Sequence, residues 1–173
     1  MSVYVAGAAR IRQALLDLER SVLRAQELLD KAVRSGDDGY LDGVALNLHG
    51  FYAGIERIFE DIARTTGEEI PGGAEWHRSL LLQMSATIEG VRPPVISRET
   101  RYCLDDYRGF RHVVRNVYAF NLKPSRLQEL TDALRPCYSA VVADLGDFVA
   151  LLERLGRTED DAGDTTPPAT RPL

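Results

Sequence analysis

Uninterrupted helical spacing constrains this chain more than any other feature of its sequence. Between Val5 and Val33, apolar residues recur at alternating steps of four and three, and no proline falls among them. Such spacing builds one apolar stripe along a helix, so it predicts a single long helix here. The stripe consists of Ile11, Leu15, Leu18, Val22, Ala25 and Leu29. No stretch alternates apolar and polar residues over a useful length, so we predict no β-sheet.

The same reasoning predicts four more helices, separated by glycine- and proline-rich turns. Their approximate ranges are 40–66, 74–88, 97–121 and 125–155. Ser97 is a plausible N-cap for the fourth of these helices. Pro136 lies inside the periodic pattern of the last one and predicts a kink or a break near Arg135. Three glycines inside the second helix, Gly43, Gly50 and Gly54, are interpreted as points where another helix approaches closely.

These elements predict an all-α fold, an antiparallel helical bundle of four long helices plus one short helix. At 173 residues the chain is long enough for one domain with a real core, which we place at residues 1–156. From Arg157 onward the composition turns to Thr, Asp, Gly and Pro, which cannot bury enough apolar surface to become ordered. Residues 157–173 are therefore predicted to be a disordered C-terminal tail.

Charge and cysteine content limit the possible functions. A formal net charge of -5 argues against general coating of nucleic acid, although it permits a local basic patch. Cys103 and Cys137 form no C-x-x-C pair and are interpreted as buried thiols of a reducing compartment. Neither a signal peptide nor an apolar run of about 20 residues is visible, so we expect no membrane association and a cytoplasmic location.

A local basic patch does occur in the predicted fourth helix. On a helical wheel Phe110, Val113, Val114 and Val117 share one side with Cys103 and Tyr107, and Arg108, Arg111, His112 and Arg115 share the other. Arginine matches the geometry of phosphate, and histidine exchanges protons near neutral pH. One hypothesis is therefore phosphate binding, with the 2′-hydroxyl of RNA as a possible nucleophile. The alternative is an arginine face paired with acids such as Glu56, Glu60 or Asp61.

Other chemical motifs are weak. His49, His77 and His112 lie on three different segments, and no spacing typical of a metal site joins them, so we expect no metal and no cofactor. His49, near the core stripe of the second helix, is interpreted as a packing residue. His77 is interpreted as a surface or capping residue. No side chain is marked as an activated nucleophile.

The stretch Arg111-His-Val-Val-Arg-Asn-Val-Tyr118 resembles the R-x4-6-H motif of HEPN domains. It is closer still to the R-x4-H-x-Y form found in HepT-type toxins. A long second helix, including Ala45 to Glu60, and the late position of the motif agree with that family. The resemblance extends over about residues 10–156.

This resemblance implies a homodimeric, metal-independent RNA endonuclease that acts as the toxin of a toxin–antitoxin pair. It also implies a partner, a nucleotidyltransferase antitoxin of the MNT type, which silences the toxin by transferring AMP to the motif tyrosine. Residue by residue, Arg111 matches the motif arginine and Tyr118 the tyrosine. The motif histidine, however, falls on Asn116.

Asparagine can hydrogen-bond a substrate, but it cannot act as a general base. The expected roles are therefore transition-state stabilisation by Arg111, acid/base chemistry by His112, and orientation of the substrate by Asn116. Arg108 and Arg115 are expected to bind phosphate. Two alternatives stay open: a catalytically inactive HEPN-like dimer that binds RNA, a nucleotide or a partner protein, and a purely structural bundle. Arginines lining an open groove would favour the first two hypotheses, whereas arginines pinned to internal acids would favour the structural one.

Overall fold

The chain is all-helical in a computed structural model, which describes residues 2–116 and 122–163 without the side chains of residues 112, 115, 116 and 160–163. Within those residues there are five helices and no strand. The helices are α1 Val3–Ser35, α2 Gly39–Thr66, α3 Trp76–Met84, α4 Arg98–Asn116 and α5 Pro124–Gly163. The predicted bundle of four long helices and one short helix is confirmed. None of the helices in this described part is long and apolar enough to cross a membrane.

Local capping sets the ends of these helices. Ser2 caps α1 by accepting a hydrogen bond from the backbone N–H of Tyr4. Gly36, with φ of 69°, and Gly67, with φ of 75°, end α1 and α2 in the left-handed conformation that favours glycine. Ser97 Oγ accepts from the backbone N–H of Thr100, so the predicted N-cap of α4 is confirmed.

The core lies around α2, which contacts each of the other four helices. Its Phe51 ring meets the ring of Tyr107 from α4 edge-on, with centroids 5.3 Å apart. Two of the three predicted glycine contacts are confirmed, because a Cβ at Gly43 or Gly54 would lie within 3 Å of a leucine side chain of α1. At Gly50 the prediction is wrong, since a Cβ there would meet nothing within 4 Å.

A buried ion pair holds the segment between α3 and α4. Arg92 donates to both carboxylate oxygens of Glu68, at 2.5 and 2.9 Å, and to the backbone carbonyls of Gln83, Ala86 and Pro93. The two charged side chains are almost completely buried. This pair ties the C-terminal end of α3 to the segment just after α2, and it thereby fixes the position of α3.

The last helix is longer than predicted. α5 continues through Pro136 without the break that the sequence allowed, because tertiary contacts hold the turn that follows. Tyr138 donates to the Leu15 carbonyl of α1 just beyond the proline. The helix also runs seven residues into the stretch predicted as tail, to Gly163, and Ser2 donates to Glu159 there. Residues 164–173 of the predicted tail lie outside the described residues.

The two cysteines are bonded to each other, which contradicts the interpretation as free thiols. Cys103 of α4 and Cys137 of α5 form a disulfide with their Cα atoms 5.8 Å apart. They are separated by 34 positions, so only the packing of α4 against α5 brings them together. The cytoplasmic location, which was inferred partly from free thiols, stays a prediction.

Candidate functional site

The inner face of α4 is rotated relative to the sequence prediction. Tyr107 and Phe110 are buried as expected, but Val113 is 43% exposed. Arg111, placed by the prediction on the outer face, has a side chain only 17% exposed. The reason is that α4 packs against α2 and α3 as well as α5, so the direction of burial lies between these neighbours. The motif arginine therefore points into the bundle.

Arg111 is held by one carboxylate and one imidazole. Its Nε lies 3.3 Å from Glu56 Oε2, an ion-pair distance at which the N–H is not aligned for a hydrogen bond. Its Nη1 lies 2.8 Å from His77 Nε2 and 3.0 Å from His77 Nδ1. Glu56 Oε1 in turn lies 2.5 Å from His77 Nδ1. Three helices thus bring Glu56, His77 and Arg111 into mutual contact.

The side chains of Glu56, Arg111 and His77 differ in their exposure to solvent. The Glu56 side chain is 4% exposed, whereas those of Arg111 and His77 are 17% and 19% exposed. A buried carboxylate requires partners, and here it has a guanidinium and an imidazole. The two groups that can meet an external anion are also the two that reach solvent.

His77 belongs to the inner side of α3, so its interpretation as a surface or capping residue is wrong. It falls one turn before the buried residues Leu80 and Leu81 and two turns before the buried Met84. Its ring also lies against that of Trp76, with centroids 3.7 Å apart. The N-cap position of α3 is taken by Glu75.

Tyr52 completes the buried side of the site. It lies one turn before Glu56 on α2, is fully buried, and its hydroxyl has no hydrogen-bond partner among the described residues. Burial raises the pKa of Tyr52, the negative charge of Glu56 raises it further, and Arg108 and Arg111 oppose the rise. All these charges therefore lie close enough to act on one hydroxyl.

Arg108 lies one turn before Arg111 and is also paired. Its Nε donates to Asp105 at 2.6 Å, a bond that raises the pKa of Arg108 against the opposing effect of burial. Beside it, a groove of about 410 Å³ separates α4 from the start of α5. Its lining combines apolar side chains such as Phe110 with three cations, Arg108, Lys123 and Arg126, and two acids, Asp105 and Asp106.

Several predicted site residues lie beyond what is described. The side chains of His112, Arg115 and Asn116 fall outside the described residues, as does all of Tyr118. Their roles stay predictions. His49 is a partly buried residue of α2, in keeping with its interpretation as a packing residue. Within residues 2–116 and 122–163, no group of three or more His, Cys, Asp or Glu side chains is arranged to hold a metal ion.

Sequence reasoning missed Tyr52 and His77, and it named Glu56 only as one of three possible partners for the arginine face, although the sequence carried a signal for all three. Tyr52, Glu56, Phe59 and Ala63 follow one another at steps of four, three and four, and all four are buried. An acid inside such a stripe indicates a buried carboxylate with a partner. His77 precedes the buried residues Leu80, Leu81 and Met84 by three, four and seven positions, which is the spacing of one helix face. This spacing indicates that His77 faces the same side as they do.

The fold and this site define an all-α bundle with a motif arginine pointing inward. A family model described as "HepT-like protein" matches residues 43–152, which is more than half of the chain. The chain therefore belongs to the HepT-like family, and the family resemblance seen in the sequence is confirmed. No curated protein and no solved structure matches it.

Proposed function

We propose that this protein is a HepT-like toxin that cleaves RNA without a metal ion. The observation that carries the proposal is the position of Arg111. The family's motif arginine lies one turn from a second arginine, is held by groups from two other helices, and remains partly open to solvent. A guanidinium held in this way can bind a phosphodiester and stabilise charge developing on it.

The proposed reaction is an internal transesterification. The 2′-oxygen of one nucleotide attacks the adjacent phosphorus as its hydroxyl proton leaves to a base, and the bond from phosphorus to the 5′-oxygen breaks. That 5′-oxygen takes up a proton, so the products are a 2′,3′-cyclic phosphate and a 5′-hydroxyl. Arg111 stabilises the phosphorane-like transition state, and Arg108 and Arg115 bind neighbouring phosphates. Asn116 orients the substrate.

The proposed assembly is a homodimer that pairs with an MNT-type nucleotidyltransferase antitoxin, as the HepT-like family suggests. The antitoxin transfers AMP from ATP to the Tyr118 hydroxyl and releases pyrophosphate. Incubation with such an enzyme and labelled ATP tests this step. Wild type should become labelled and Tyr118→Phe should not, and equal labelling of the two would remove Tyr118 as the acceptor.

RNA cleavage by the purified protein tests the activity. Wild type should cleave in the presence of EDTA and leave cyclic phosphate ends, and Arg111→Ala should be slower by about 10²–10³-fold. Arg98→Ala is the matched control, because Arg98 lies on the same helix but contacts the exposed Tyr102 rather than the site. Equal cleavage by wild type and Arg111→Ala would remove the catalytic assignment.

A second candidate is a catalytically inactive dimer that binds RNA, a nucleotide or a partner protein. The pairing of Arg108 and Arg111 with carboxylates of the same chain favours a purely structural bundle instead, by the criterion given for the sequence. The inactive dimer is favoured by Asn116 in place of the motif histidine, because asparagine cannot act as a general base. This candidate predicts a stable dimer with no cleavage and no toxicity on expression.

A further inference from the structure

We propose that His77 supplies the imidazole of the Arg111 site, and that Glu56 positions it. The inference rests on the proposed function, and it addresses the gap that the family motif leaves in this chain. The motif histidine is replaced by Asn116, which cannot exchange a proton. His77 comes from a different helix, α3, yet its Nε2 lies 2.8 Å from the motif arginine.

The neighbours of His77 determine where its proton resides. Glu56 Oε1, an oxygen of a carboxylate paired with Arg111, lies 2.5 Å from Nδ1 and can only accept, so Nδ1 carries a proton. Nε2 of the neutral ring therefore carries the lone pair, which points outward in the plane of the ring. Arg111 Nη1 lies 2.8 Å from Nε2 and 3.0 Å from Nδ1, so it approaches the face of the ring rather than the end of that lone pair. An imidazole in this tautomer is ready to accept a proton at Nε2.

The distance from Arg111 places Nε2 beside the substrate. A phosphate oxygen accepts from a guanidinium N–H at about 2.9 Å, so an oxygen bound to Nη1 lies no more than about 6 Å from Nε2. The attacking 2′-hydroxyl belongs to the nucleotide that carries this phosphate. When Arg111 turns its Nη1 donor to the phosphate, the lone pair of Nε2 accepts the 2′-hydroxyl proton. The imidazolium then returns its proton to solvent, and the 5′-oxygen is protonated from solvent.

Glu56 acts through His77 and is therefore a positioning residue. Its second oxygen lies near Arg111, so one carboxylate orients both groups that would face the phosphate. The Trp76 ring also lies against the imidazole, with the two planes inclined at 35°. Because Glu56 is buried on α2, which contacts each of the other four helices, the whole arrangement is anchored to the core of the bundle.

Cleavage kinetics of matched His→Gln variants test the inference. Glutamine keeps much of the hydrogen bonding of histidine but cannot transfer a proton at neutral pH. His77→Gln should be slower than wild type by about 10²–10⁴-fold, with a larger effect on kcat than on KM. Arg98→Ala again serves as the control outside the site, and thermal unfolding of each variant verifies that it folds. His112→Gln, the competing imidazole, should be slower by less than His77→Gln.

Retention of wild-type rates by His77→Gln, within about threefold, would overturn the inference while leaving the proposed function in place. So would a larger loss in His112→Gln than in His77→Gln. In either case wild type and Arg111→Ala still differ, so failure of the inference is distinguishable from failure of the proposed function.

Nuclear magnetic resonance of the histidine rings gives a readout that does not need activity. The ¹⁵N shifts of His77, assigned with His77→Gln, should place the proton on Nδ1 in wild type and show a mixture of tautomers in Glu56→Gln. A short, fully 2′-O-methylated RNA, which cannot be cleaved, should shift the His77 signals in wild type but not in Arg111→Ala. If wild type cleaves no RNA, the proposed function fails, and this titration alone tests whether His77 belongs to a phosphate site. A shift that requires Arg111 supports His77 as the imidazole of a phosphate site, and unmoved His77 signals overturn it.

Discussion

Reduction of the bond between Cys103 and Cys137 should destabilise the fold by a predictable amount. The bond closes a loop of about 34 residues, for which the chain-entropy relation gives roughly 4 kcal/mol at 25 °C. A chain of this size loses about 2–4 °C in Tm for each kcal/mol, so reduction should lower Tm by about 8–16 °C. The loss arises mainly because the reduced unfolded chain has more conformational freedom.

Thermal unfolding followed by circular dichroism, with and without a reducing agent, measures this difference. The double variant Cys103→Ser with Cys137→Ser is the control, because it should unfold near the temperature of the reduced wild type and show no response to the reductant. A thiol titration under denaturing conditions establishes how many cysteines are free in each sample. Two free thiols in the oxidised sample would show that the bond does not form. A formed bond with an unchanged Tm would refute the entropic reasoning.

Three further perturbations test the packing and the buried charges. Gly7→Ala should lower the stability to urea, since its Cβ would lie 2.8 Å from Cγ2 of the stiff Thr65 side chain. Gly50→Ala is the matched control, because its Cβ would meet nothing within 4 Å, and its free energy of unfolding should rise by up to about 1 kcal/mol. Equal shifts would contradict the helix packing. Arg92→Met leaves the carboxylate of Glu68 buried without its partner, so it should lower the free energy of unfolding by about 3–5 kcal/mol in the same assay. A loss under about 1 kcal/mol would mean that the ion pair contributes little to stability. Burial alone would raise the pKa of Glu68, but hydrogen bonds from Arg92, Gln83 and Thr66 outweigh it and lower that pKa. The stabilisation is therefore complete above the ordinary carboxyl pKa of about 4.3 and is lost as the pH falls through the lowered value, so acid unfolding of Glu68→Gln should depend less steeply on pH than that of wild type.

The elements that could be predicted are those whose signals are local. The predicted range of the second helix, 40–66, nearly matches its observed range, Gly39–Thr66. The agreement arises because turn glycines bound this helix on both sides. The third helix, by contrast, is shorter than predicted, Trp76–Met84 against 74–88. Residues after Met84 are held instead by the carbonyl contacts of Arg92, and such long-range contacts leave no periodic trace in the sequence.

The site was predictable only in part for the same reason. Among the acids proposed as partners for the arginine face, Glu56 does pair with Arg111, whereas Glu60 pairs with Arg64 and Asp61 with Arg10. Sequence spacing identifies residues that share a face of one helix, but it does not identify which helix that face meets. The contact between His77 and Arg111 spans 34 positions and depends on how α3 is placed, which only the folded chain determines.

The pairing of Glu56 with Arg111 has a consequence for selectivity among anions. The carboxylate already occupies part of the donor set of Arg111 as a fixed internal anion, so any ligand has to share that guanidinium with it. An isolated phosphate ion gains little from such an exchange. A polymer that also reaches Arg108 and the basic residue Lys123 in the groove beside it gains several contacts at once, since linked sites raise one another's occupancy. Under the proposed function, the internal carboxylate is expected to make the site discriminate by ligand length, favouring a strand with several phosphates over a single small phosphate.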